Sequence, residues 1–492
     1  MNCSIFRLLF LLPVFWFSCQ SPSNQTNDLE IQSVDEDEEG MAFDLDEIKK
    51  RGYLVAIVEN SPSGMFLYRG EPMGYEYELM SLFAKEIGVE LKINVTRDIA
   101  ESFSKLQNGE GDIIARNLTI TSDRKKQIAF SEPLHLVRQM LVQRKPENWR
   151  QMKLHEIERE LIRNPVELKG KTIHVRPNSS YIPRLKSLSN EIGGEIKLEI
   201  EAEDVETESI IEMVADGSIE YTVADEDIAQ VNARYHPILD VETAVSFPQE
   251  IGWGLRKNSP KLLEAANNWL SKMKKTNEYY ALYDKYFRNY RKSKAIISSA
   301  YYTIDGETLS PYDSLIKHYA EKLNWDWRLL AAQISKESRF DPKATSWIGA
   351  RGLMQVMPRT GEEYGASNLY DPRQNLKAGT EHLVWLEKKW EHIPDSVEQI
   401  KFILGSYNVG DGHVRDAVKL TKKYGGDTLV WDDNVAKYLK LKSKKKYFED
   451  PIVSFGYCRG TEPVEYVQDI FYRYDRYLQM NAPGDSLAYA SN

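Results

Sequence analysis

Glu337 lies in the segment Ala331-Ala332-Gln333-Ile334-Ser335-Lys336-Glu337-Ser338. Two short polar stretches follow it, Gly352-Leu353-Met354-Gln355 and Ser406-Tyr407-Asn408. Asp326 has the chemistry of an N-cap for a helix running from Trp327 to about Ser338. At about 3.6 residues per turn, that helix puts Leu330, Ile334 and Glu337 on one face. A carboxylate on an apolar face is partly desolvated, and desolvation raises its pKa. Such a group stays protonated near neutral pH and can serve as a general acid. The polar residues downstream suit a sugar. The set is therefore equipped to cleave a glycosidic bond with one acid instead of two. Asp341, beside Pro342 just past the helix end, reads as a turn residue and not as a second carboxylate.

A second constellation lies far upstream. Arg124 offers a guanidinium fork that can hold a carboxylate bidentately. Thr119 and Thr121 can add hydroxyl or backbone donors. Asp225, at the end of an apolar run, can pair with an amino group. Ser179-Ser180 are placed to cap a helix whose amide ends face the same region. Together these residues suit a zwitterion. A surface salt bridge for Arg124 and a strand-end cap for Asp225 are the plain alternatives.

The chain has 492 residues and a formal net charge of -10, with 42% hydrophobic and 28% charged residues. That length exceeds one ordinary core, so two or three folding units are expected. The acidic balance argues against a nucleic-acid footprint. No internal apolar stretch approaches the roughly 20 residues of a membrane-spanning helix. The eight His do not cluster, and no metal-ligand spacing occurs. Asn108-Gly109-Glu110-Gly111 lacks the Lys-Ser/Thr of a phosphate loop. No cofactor is expected.

The N-terminus is organised for export. Arg7 precedes the apolar run 8–17, then Ser18 and Cys19, which reads as a signal peptide over 1–19. The small residue before Cys19 resembles a bacterial lipoprotein signal; that resemblance implies lipidation of Cys19 and, with Gln20 behind it, the periplasmic side of the outer membrane. Residues 20–44 are polar and acidic and form an expected tether. Cys458 would have no partner in an exported chain and reads as a buried small apolar residue.

The elements that must position the two constellations are legible as patterns. Strand-like runs at 54–58, 91–95 and 112–115 alternate with helical stretches at 77–86 and 102–108. The same alternation restarts at 171–175 and runs through 210–216 to 221–224. This predicts two α/β lobes joined by crossover strands, with a cleft between them, over residues 45–292. From Pro311 the pattern becomes helical, giving a mostly α domain over 305–480. Trp347 and Trp390 could stack on sugars, though core packing is the favoured reading for both; Met354 and Val356 read as wall or core.

Residues 45–290 resemble the periplasmic solute-binding proteins for polar amino acids. The resemblance is carried by Gly74-Tyr75-Glu76-Tyr77-Glu78-Leu79, Leu118-Thr119-Ile120-Thr121-Ser122-Asp123-Arg124, Phe130-Ser131-Glu132-Pro133 and Ala224-Asp225. It implies a bilobal α/β fold and an amino-acid or peptide ligand, a cell-wall stem peptide included. Residues 310–475 resemble the lytic transglycosylases of the goose-type lysozyme superfamily. Four ordered motifs carry this: Glu337-Ser338, 349–358 around Gly-Leu-Met-Gln, Ser406-Tyr407-Asn408-Val409-Gly410 and Glu462-Pro463-Val464-Glu465-Tyr466-Val467. The resemblance implies a lysozyme-like fold and peptidoglycan strands as substrate. It further implies that Glu337 cleaves the bond between N-acetylmuramic acid and N-acetylglucosamine, with the 1,6-anhydro sugar as product. Ser338, Gln355, Tyr407, Asn408 and Tyr466 would bind the substrate. A lysozyme-type hydrolase and a non-catalytic muropeptide receptor are the alternatives. The fusion also suggests that a ligand in the first cleft biases the second domain.

Overall fold

The computed structural model describes residues 43–480, apart from 97, 204 and 305. The signal peptide, Cys19 and most of the acidic tether therefore lie outside the described residues. The described residues begin at Phe43. Asp44 caps the helix Leu45–Arg51 by accepting from the Leu45 amide, so the last residue of the expected tether is already part of the fold.

The first lobe is built on a five-stranded sheet in the order Glu90–Val95, Tyr53–Val58, Ile113–Ile114, Gly254–Leu255, Ala129–Phe130. Its first three strands are parallel, with Leu54 opposite Leu91 and Ala56 opposite Ile113. Short apolar strands separated by helices give this arrangement, because both sheet faces are covered. The second lobe has its own sheet, in the order Lys197–Ile200, Thr172–Val175, Tyr221–Asp225, Gln139–Arg144, Leu239–Asp240. Two extended segments, His135–Val137 and Gln249–Ile251, pair antiparallel where the chain passes between the lobes. These are the expected crossovers.

The C-terminal part is helical. The helix Trp327–Ser338 is capped by Asp326, whose carboxylate accepts from the Arg328 amide, as the sequence indicates. It packs against the long helix Thr461–Met480. The helices Pro372–Trp390 and Ser396–Val409 complete the wall, each started by an Asp N-cap. Among the described residues no strand follows Tyr302–Thr303.

One hydrophobic core runs through both the first lobe and the helical domain, from Leu54 and Phe83 to Leu330, Phe340 and Leu404. The second lobe keeps separate cores around Leu141, Ile173 and Val223, and around Val142, Ile211 and Ala224. The helical domain thus shares its core with the first lobe.

Candidate functional site

Glu337 is half-buried at the end of its helix, and Leu330 and Ile334 on the same face are fully buried. Tyr466, 3% exposed, donates its hydroxyl to Glu337 Oε1 at 2.6 Å. Gln333 Nε2 donates to the Tyr466 hydroxyl at 3.3 Å, so the tyrosine is held from behind. Burial pushes the Glu337 pKa up to about 7, against the opposing pull of the Tyr466 hydroxyl and the Lys336 ammonium. The carboxyl is therefore poised to carry a proton near neutral pH. Among the described residues, no second carboxylate belongs to the groups that set this proton affinity.

The Gly-Leu-Met-Gln segment forms a tight turn beside Glu337. Gly352 takes φ +75, and an added Cβ would run into the Leu369 carbonyl and the Asn375 side chain. Asn375, fully buried on the Pro372–Trp390 helix, accepts from the Met354 amide at 2.8 Å and donates to the Arg351 and Leu369 carbonyls. This pin was not read from the sequence. The turn's Met354 and Val356 are core.

The Ser338 hydroxyl donates to Leu353 O at 2.8 Å and to Ile334 O at 3.2 Å, tying the helix end to the turn. Gln355 sits at φ +48 and spends its amide nitrogen on the carbonyls of Gly352 and Ala344. Tyr407 donates to Met354 O at 2.9 Å, and burial, with the nearby Glu337 charge, pushes its phenol pKa up. Asn408, next along the helix, is exposed.

Two aromatic expectations divide. Trp390 is core, and its indole N–H donates to Ser406 Oγ at 2.9 Å. Trp347 is 95% exposed, so core packing is wrong for it; its place in the 343–351 loop leaves nothing to pack against. The ring cluster beside the acid comes from elsewhere. The His382 ring lies 5.5 Å from the Tyr407 ring and stacks on Trp385 at 5.5 Å and 12°. Trp385 is 39% exposed. Burial lowers the His382 pKa, against the opposing Glu363 and Asp411 charges, and so favours the neutral ring. A helical period ending at Trp385 was the available signal.

In the first domain, a cleft is lined by Glu59, Asn117, Thr119, Arg124, Ser180 and Asp225 among others. Three of the four proposed contacts line it; Thr121 does not. Thr121 instead caps the helix Ser122–Gln127 by accepting from the Arg124 amide. Arg124 donates to Thr119 O at 2.9 Å and, across the cleft, to Asn178 O at 3.1 Å. The Thr119 and Ser180 hydroxyls also bond across it, at 3.0 Å. Ser180 stands at the N-cap position of the helix Tyr181–Glu191 without capping it, and Ser179 donates to Arg176 O. Asp225 is 2% exposed; its Oδ2 accepts from Asn117 Nδ2 at 3.0 Å and its Oδ1 has no partner. Burial raises the Asp225 pKa well above the ordinary value, beyond what the Arg124 charge offsets. The cleft is also bridged by Glu59, which accepts from Arg116 at 2.7 Å in its own lobe and from Arg176 in the other.

Among the described residues no group of three His, Cys, Asp or Glu side chains is placed to hold a metal ion. Cys458 is buried.

Residues 54–289 match the bacterial extracellular solute-binding proteins, family 3, and residues 314–430 match the transglycosylase SLT domain. The chain is 33% identical over 435 residues to a protein of Desulfosudis oleivorans named membrane-bound lytic murein transglycosylase F, covering 88% of this chain and 92% of that one. A protein of the same name from Pseudomonas fluorescens is 30% identical, over 90% and 89% of the two chains. The chain belongs to the membrane-bound lytic murein transglycosylase F family. Its two-part build is that of the two matched families, a bilobal solute-binding fold followed by a lysozyme-like domain. Among solved structures, an ancestral arginine-binding protein bound to arginine is 26% identical over 48% of this chain and 99% of its own, with a TM-score of 0.41. The arginine-bound form of a truncated ArgBP from T. maritima is 27% identical over 46% and 99%, with a TM-score of 0.39.

Proposed function

We propose that this chain is a peptidoglycan lytic transglycosylase in which Glu337 acts first as acid and then as base. The observation that carries this reading is the half-buried Glu337 carboxyl, held by Tyr466 at 2.6 Å with its pKa pushed up to about 7. Glu337 gives its proton to the oxygen joining N-acetylmuramic acid to N-acetylglucosamine, and the bond from that oxygen to the muramic acid anomeric carbon breaks. Most glycosidases meet the resulting positive centre with a second carboxylate. Here the substrate's own 2-acetamido group fills that role. Glu337, now a carboxylate, takes the proton of the muramic acid 6-hydroxyl as that oxygen closes on the anomeric carbon. No water is consumed, and the acid is regenerated.

Tyr466 and Tyr407 bound the reacting centre, while Gln355 and exposed Asn408 face the sugar's polar groups. Ser338 serves by fixing the turn. Trp385, backed by His382, forms an outer wall for a sugar ring, in the role that Trp347 and Trp390 were candidates for. In the first domain, Arg124, Thr119 and Asp225 hold the carboxylate and ammonium of an amino acid or peptide, a cell-wall stem peptide being the natural choice for an enzyme of the wall. Binding there biases the position of the first lobe and hence the helical domain fused to it. The protein acts in the cell envelope. Cys19 carries the lipid that holds it to the outer membrane.

Mass spectrometry of digested sacculi tests the reaction. The expected products carry 1,6-anhydromuramic acid and vanish with Glu337→Gln. Reducing-end muramic acid without the anhydro ring would instead establish a lysozyme-type hydrolase. Titrating purified stem peptides while following turnover tests the regulation; full binding with unchanged turnover would refute it.

A further inference from the structure

The first lobe sends a β-hairpin into the back of the Glu337 helix. Its strands are Phe66–Tyr68 and Glu71–Met73, and the linker strand Tyr302–Thr303 pairs with the first of them. The turn between them is Arg69-Gly70, at φ +53 and +72. Gly70 O accepts from the Tyr477 hydroxyl at 2.8 Å. The Ser335 hydroxyl, two residues before Glu337, donates to Arg69 O at 3.4 Å. A Cβ on Gly70 would sit 2.8 Å from Phe340 Cε2 and closer still to Ser335 Oγ and the Tyr477 hydroxyl. No larger residue fits this turn without separating it from the helix.

The chain just past the Glu-Ser pair needs such a mount. Arg339 and Phe340 follow Ser338 at φ +52 and +59. Two consecutive side-chain-bearing residues in the left-handed region are strained, and surrounding contacts must over-determine them. Part of that support comes from outside the helical domain. Glu71 pairs with Arg339 at 3.5 Å and with Arg473 at 2.8 Å. The Tyr301 hydroxyl donates to Phe340 O at 3.4 Å, and the Arg69 guanidinium lies over the Tyr301 ring at 4.9 Å. Phe340 itself is fully buried in the core shared by the two parts.

We infer that the Arg69-Gly70 turn and Glu71 are positioning residues for the reaction, holding the end of the Glu337 helix where its carboxyl meets the glycosidic oxygen. None of them touches substrate. They act through Ser335, Arg339 and Phe340. This rests on Glu337 being the acid.

The test compares kcat and KM of full-length variants on purified sacculi. Gly70→Ala is expected to lower kcat about tenfold with KM within about twofold, since displacement of a reacting group by about 1 Å costs rate and not binding. Glu71→Gln, which leaves the backbone unchanged, lowers kcat severalfold in the same way, and so does Tyr477→Phe. Gly88→Ala is the control: its φ is +77, so the backbone strain is alike, but a Cβ there meets nothing within 4 Å. It keeps the parent kcat. Should Gly70→Ala fail to fold, Glu71→Gln and Tyr477→Phe decide. Unchanged or raised kcat in the folded variants would overturn the inference, and a raised KM at constant kcat would equally do so. Retained activity in Glu337→Gln would sink the proposed function instead, so the two failures are distinguishable.

Discussion

Removing one oxygen atom from Tyr466 probes the acid directly. The Tyr466 hydroxyl donates to Glu337 at 2.6 Å and favours the ionised carboxylate, opposing the burial that pushes the pKa to about 7. A hydrogen bond to a charged group is worth about 1.5–3 kcal/mol. At about 1.36 kcal/mol per pH unit, its loss moves the proton affinity upward by about 1 to 2 in pH. The sign follows from the roles. The general acid works when protonated, so activity falls as pH rises through its pKa, and Tyr466→Phe shifts that alkaline fall to higher pH. The same variant loses a contact that steadies the carboxylate formed midway, so its maximal rate falls about 5- to 30-fold for a loss of about 1–2 kcal/mol. The assay is turnover of sacculi from pH 5 to 9, with a melting curve to exclude unfolding. An alkaline fall at unchanged or lower pH would refute the claim that Tyr466 tunes Glu337.

Lys442 and Asp416, both with fully buried side chains, pair at 3.0 Å, and Asp416 also accepts from the Ser454 and Phe455 amides. Breaking a buried pair from one side costs about 3–5 kcal/mol, so urea unfolding of Lys442→Met shows a loss of that size; a change under about 1 kcal/mol would show the pair to be dispensable. Arg124→Ala weakens binding of a stem peptide, measured by calorimetry, by about tenfold or more, as loss of a charge-assisted contact predicts; equal affinity would remove Arg124 from the site. Trp385→Ala raises KM on long glycan strands severalfold while leaving short muropeptides unaffected, in keeping with about 0.5–1.5 kcal/mol for ring stacking. Identical KM values on both substrates would contradict its place as an outer sugar wall.

The sequence was most informative where local physics decides. The Asp326 cap, the apolar face of the Glu337 helix and the short parallel strands follow from residue chemistry and periodicity, and the structure bears them out. The Thr121 and Ser338 hydroxyls each take a backbone partner, one as a helix cap and the other on Leu353 O. Short polar side chains readily take such partners. Trp347 was misjudged because burial depends on what the rest of the chain brings to a loop. Asn375 and the Gly70 hairpin were invisible for the same cause: each acts across a sequence separation that periodicity does not reach. The hairpin in particular touches Ser335 from 266 positions away.

The central claim is that Glu337 closes the sugar on itself without water. Digestion of sacculi in water enriched in oxygen-18, followed by mass spectrometry of the released muropeptides, tests it most directly. The account predicts 1,6-anhydromuramic acid ends with no added label, and no release at all by Glu337→Gln. Labelled oxygen at the muramic acid anomeric carbon would contradict it.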